Sequence, residues 1–122
     1  MAVFADTFFY LALLRQDDPA HDRALACATI NQLIVTSEFI LLELGNACAR
    51  AVDHGDFLAL VEGMRTSPRV RIVALDSRLF SRGLERMASR TDKDWSLIDC
   101  KSFVVMEDEG IQEALTADQH FE

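Results

Sequence analysis

Short apolar runs alternate with segments of helical spacing along the whole chain of 122 residues, and this alternation restricts the fold more than any other feature. VFA reads as a buried strand, FFYLALLR as a helix broken by Asp17, Asp18 and Pro19, and HDRALACATINQ as a further helix with Leu25, Ala28 and Ile30 as apolar contributors. LIVT follows as a second strand. Ser37 can cap the next helix, EFILLELGNACARAVD, which presents Phe39, Leu42, Ala47 and Val52 alongside Glu43 and Asn46. After Gly55, Asp56 is expected to cap FLALVEGMR, and SPRV breaks that helix. VRIVAL supplies a third strand, Asp76 caps SRLFSRGLERMASR, and TDKDW is a polar connection. SLIDCKSFVVMEDE is a helix stopping at Gly110, and EALT is a fourth strand. The pattern predicts an α/β fold with a mainly parallel sheet covered by helices on both sides. With no internal repeat or linker, residues 1–122 are expected to form a single domain.

Four carboxylates sit in or beside apolar segments: Asp6 after MAVFA, Glu43 in FILLELGN, Asp99 in DWSLIDCKSF and Asp118 in EALTADQHF. A compact fold draws such residues inward together. At a separation of ~4 Å two like charges repel by about 4 kcal/mol at an effective dielectric near 20, so clustered carboxylates need a cation. A hard divalent metal with oxygen ligands is the simplest relief, and it points to phosphate chemistry. Ligands of open α/β sheets bind outside the carboxyl ends of the strands, where Asp6 and Asp118 are both expected.

Composition narrows the setting. The first basic residue is Arg15, and Asp6 interrupts the early apolar stretch, so neither a signal peptide nor a membrane span is expected and the chain reads as soluble and cytoplasmic. Cys27, Cys48 and Cys100 are odd in number and lack CxxC spacing, which favours reduced structural thiols. His21, His54 and His120 fit no zinc pattern. A formal charge of −8 counts against a nucleic-acid partner, although two divalent ions in the acidic cluster would halve it and make the local potential positive.

Each acid also has a structural alternative. Asp6 could cap the helix that follows, Glu43 could pair with Arg50, Asp99 could form a capping box with Ser96, and Asp118 could be a turn residue. Arg78, Arg82, Arg86 and Arg90 recur every fourth residue along one helix face, either as a solvated stripe or as an RNA or docking track. Trp95 is expected to be buried at a helix entrance, and Phe8, Phe9, Phe39 and Phe103 to lie in the core.

With these segments in place, the chain resembles the PIN-domain ribonucleases, particularly the toxins of VapBC-type toxin–antitoxin pairs. The resemblance runs through FADTFFYLALL, VTSEFILLELGNACAR and DKDWSLIDCKSFVVMEDEGIQEALTADQHFE. It implies a three-layer α/β/α domain with four to five strands, and it assigns Asp6, Glu43, Asp99 and Asp118 as catalytic metal ligands. The cofactor so implied is Mg²⁺ or Mn²⁺, and the activity is RNA hydrolysis leaving a 5′-phosphate and a 3′-hydroxyl. Thr7, Asn46, Ser96 and Thr116 become candidates for hydrogen bonds that orient the carboxylates, and Arg50, Lys93 and Lys101 for phosphate contacts. The resemblance also implies a homodimer and a cognate antitoxin as partners. Similar domains usually continue beyond the position of Glu122 through a short further segment, a departure that bears on the sheet edge and on oligomerisation more than on the ligands.

Two other phosphate-chemistry readings fail on the sequence. A haloacid-dehalogenase-type phosphatase needs a second aspartate two residues after the first, where this chain has Phe8, and a receiver domain needs paired early acids. A non-catalytic interaction module with the same fold is the remaining alternative.

Overall fold

The computed structural model describes residues 2–29, 32–90 and 92–115. Ile30, Thr116, Asp118 and His120, singled out above, lie outside the described residues. The elements are β1 (Ala2–Ala5), α1 (Thr7–Leu14), α2 (His21–Ala28), β2 (Leu33–Ser37), α3 (Glu38–Ala47), α4 (Ala51–Thr66), β3 (Val70–Val73), α5 (Ser77–Ser89), α6 (Leu97–Glu109) and β4 (Ala114–Leu115).

The described strands form one sheet in the order β3-β2-β1-β4, and every pairing is parallel. Val3 pairs with Ile34 and Phe4 with Val35, while Phe4 and Ala5 pair with Ala114 and Leu115 on the other side. β1 is therefore central. Its interior shows as a short, wholly apolar run because a parallel strand is covered on both faces, and Val3, Phe4 and Ala5 are all buried. Crossovers carry β1 to β2 and β2 to β3 in one direction, and the connection through α5 and α6 then runs back to the far side of β1. That reversal gives three layers with a topological switch point between β1 and β4.

Capping side chains start four of the helices. Asp6, Ser37 and Asp76 accept from the amides of Phe9, Ile40 and Leu79, and Ser96 with Asp99 forms a reciprocal capping box. Gly110 ends α6 in the left-handed conformation, as its position predicts.

The structure alters several details. EFILLELGNACARAVD is not one helix: α3 stops at Ala47, Arg50 is extended, and α4 then runs unbroken through Gly55. The turn lets α4 fold back on α3, where a Cβ on Gly45 would lie only 3.2 Å from the Phe57 ring, so the small residue admits that ring. Of the expected apolar face, Phe39 is buried, but Leu42 and Val52 are 58% and 72% exposed. Phe8 and Leu25 are likewise outside the core, whose α1 and α2 contributions come from Phe9, Tyr10, Ala12 and Ala24. The three thiols are free, with Cys48 and Cys100 buried. No helix among the described residues is long and apolar enough to cross a membrane.

Candidate active site

Asp6 immediately follows central strand β1, on the switch-point side of the sheet. Its backbone amide donates to the Leu115 carbonyl of β4 at 3.3 Å, and its side chain is 2% exposed. A carboxylate so far from water needs polar partners. One is the amide of Phe9, which donates to Oδ1 at 3.0 Å, so Asp6 does cap α1. Capping and ligation are not exclusive here, because the cap fixes the carboxylate at the strand exit.

Glu43 reaches this corner from the middle of α3. Its partner is Thr7, whose buried hydroxyl donates to Oε1, rather than Arg50. The link joins the residue after Asp6 to the second acid. Asp99 stands in the first turn of α6. Oδ2 accepts from the Ser96 amide at 3.0 Å, and the Ser96 hydroxyl accepts from the Asp99 amide at 3.1 Å. Ser96 therefore orients Asp99 through the capping box.

Among the described residues no three His, Cys, Asp or Glu side chains converge into a metal-binding group. Asp6, Glu43 and Asp99 thus do not close a cage among themselves, and Asp118 and Thr116 lie outside the described residues. In kind, the all-oxygen donor set fits a hard divalent cation.

Two residues near Asp6 escaped the sequence reading. The buried hydroxyl of Thr36 on β2 donates to the Ala5 carbonyl at 2.9 Å, holding the strand residue that precedes Asp6. Tyr10 is buried, and desolvation drives its phenol well above the ordinary range, with Thr36 opposing and the Asp6 charge adding. No hydrogen bond of normal geometry satisfies its hydroxyl among the described residues. A polar residue inside an apolar strand was the available signal for Thr36.

The basic residues divide differently from expectation. Arg50, Lys93 and the amide Asn46 are exposed. Lys101 is not, and its expected phosphate contact is corrected: the residue is 6% exposed, with Nζ 3.7 Å from the centroid of the Phe39 ring and 4.8 Å from that of Phe80. Burial pulls its pKa below the ordinary lysine value. Three arginines of the stripe pair with acids of this chain. Arg82 pairs with Asp108 at 2.5 Å and Arg86 with Glu107, joining α5 to α6, while Arg90 binds Asp92 and covers the Trp95 ring at 5.1 Å. Trp95 is half-buried against Phe103.

An all-parallel sheet in this order, with a buried aspartate at the exit of its central strand, matches a known family. A PIN domain model matches residues 3–122, and the chain belongs to the PIN domain family. It is 29% identical over 120 residues to the 23S rRNA-specific endonuclease VapC20 of Mycobacterium tuberculosis, covering 98% of this chain and 91% of that protein. The crystal structure of VapC20, described as a sarcin-ricin loop cleaving toxin, matches with a TM-score of 0.86 at 28% identity, covering 98% of this chain and 92% of that one. The fold is shared with VapBC2 of Rickettsia felis, bound to a DNA fragment from their promoter, at a TM-score of 0.66 and 13% identity over 99% and 91% of the two chains. FitAcB of Neisseria gonorrhoeae matches at 0.65 and 17%, over 99% and 90%.

Proposed function

We propose that this protein is a VapC-type toxin, an endoribonuclease that hydrolyses RNA phosphodiester bonds with Mg²⁺ or Mn²⁺ held by Asp6, Glu43, Asp99 and Asp118. The observation that carries the reading is Asp6, a buried carboxylate at the switch-point exit of β1 whose neighbour Thr7 is bonded to Glu43. The relationship to a 23S rRNA-specific endonuclease supports RNA as the substrate.

When bound, the cation supplies Lewis-acid charge neutralisation at the phosphoryl group and acidifies water. The residues supply geometry. The cap to Phe9 fixes Asp6, Thr7 holds Glu43 to ligate or to orient the attacking water, and the capping box holds Asp99. Water oxygen bonds to phosphorus as the bond to the 3′ oxygen breaks, and that oxygen leaves with a proton as the 3′-hydroxyl. Arg50 and Lys93, both exposed, are the proposed phosphate contacts. A second copy of the chain and a small antitoxin are the proposed protein partners, in the cytoplasm.

Asp6→Asn tests the assignment cleanly, because asparagine caps a helix as well as aspartate does. The variant should keep its circular dichroism spectrum and lose cleavage of 23S rRNA by about 100-fold or more, and Mn²⁺ should raise the melting temperature of the parent. Equal cleavage by variant and parent overturns the assignment. Metal uptake without cleavage by the parent would favour the interaction module.

A further inference from the structure

Lys101 is the buried basic side chain that the proposed mechanism leaves unused. Lysine is rarely buried unless paired, yet this ammonium sits against two aromatic faces, Phe39 from α3 and Phe80 from α5. Its stem crosses α5 at Gly83. A Cβ there would lie 2.6 Å from Lys101 Cγ, so the glycine serves as a notch for the lysine. Three helices thus meet at a single charged group.

Placement gives that meeting point a consequence. Phe39 is one turn before Glu43 on α3, so the two share a helix face, and Lys101 is two residues beyond Asp99 on α6. A methionine would fill the same channel without the cost of a buried charge. We propose that Lys101 is a positioning residue for the acidic site: its ammonium, seated on the Phe39 ring, sets α6 and Asp99 against α3 and Glu43. The proposal rests on the assignment of these acids above. Carboxylates that share a cation must be held to fractions of an ångström, by neighbours whose own positions are locked.

The test compares the parent protein with Lys101→Met, Phe39→Leu and the double variant. Mn²⁺ affinity is read by calorimetry, and kcat and KM by RNA cleavage at saturating Mn²⁺. Each single variant should weaken Mn²⁺ binding and lower kcat by about tenfold, with KM within about twofold. The double variant should be no worse than Lys101→Met, because both substitutions break one contact. A folded Lys101→Met protein with parental Mn²⁺ affinity and kcat overturns the proposal, as do losses that multiply in the double variant. Should Lys101→Met not fold, Gly83→Ala keeps the charge and displaces the stem; parental affinity and kcat in that variant would also overturn it. If the parent binds Mn²⁺ but cleaves no RNA, the ribonuclease reading fails, while the affinity comparison still decides the role of Lys101.

Discussion

The hydroxyl of Thr7 donates to the carboxylate of Glu43 across 36 positions of sequence, joining the first turn of α1 to the middle of α3. Both residues adjoin the exit of β1, so the bond fixes the second acid relative to the first. Thr7→Val keeps the shape and removes the donor. Cleavage should fall about 10- to 100-fold, with a stability loss of about 1 kcal/mol by urea denaturation. Thr7→Ser, which restores the hydroxyl, should recover most of the rate. A valine variant with the parental rate would show that the bond is not needed.

Gly110 tests the boundary of α6 separately from the chemistry. Its φ is 67°, and an added Cβ would meet nothing within 4 Å, so an alanine there costs conformation and not space. Gly110→Ala should destabilise the fold by about 1 kcal/mol. An unchanged denaturation midpoint would mean that another residue ends the helix.

The thiols should differ in reactivity. Burial raises the pKa of both Cys48 and Cys100, with nearby carboxylate charges adding, whereas Cys27 is only half-buried. In native protein at neutral pH a thiol reagent should label Cys27 first, and the other two only on unfolding. Mass spectrometry of timed samples reads the order directly.

The clamp between α5 and α6 should appear in the acid limb of stability. A hydrogen bond from Arg82 lowers the pKa of Asp108 below its ordinary 3.8. A depressed carboxylate contributes stability that is present above the ordinary value and lost as pH falls through the depressed one. Arg82→Ala should therefore flatten the stability profile below about pH 4. The change should be shallow, because the pair is solvent-exposed and screened. An acid limb identical to that of the parent would show that the pair contributes nothing.

Strand and helix identities were legible because local chemistry sets them: apolar parallel strands, Asp6, Ser37 and Asp76 as caps, and Gly110 as a stop. The break at Cys48–Arg50 was not legible, since no proline or glycine marks it and the packing of Phe57 on Gly45 is a long-range event. The same limit hid Lys101. Its sequence neighbours suggest an ordinary surface lysine, and only the packing of α3 and α5 against α6 brings Phe39, Phe80 and Gly83 around it. For the arginine stripe the helical period located the face correctly, but the paired acids come from α6, whose approach the period cannot encode. Of the four acids, Asp6 was legible as the cap that it forms, and its burial beside the switch point agrees with its place at the end of an apolar strand.

Because Ala5 pairs with Leu115, the strand that leads into Asp6 gains its second neighbour only after the ribosome has made nearly all of the described chain. A nascent polypeptide that has emerged only as far as α5 lacks one wall of the acidic edge. A ribonuclease arranged in this way stays unassembled until synthesis of its chain is all but finished.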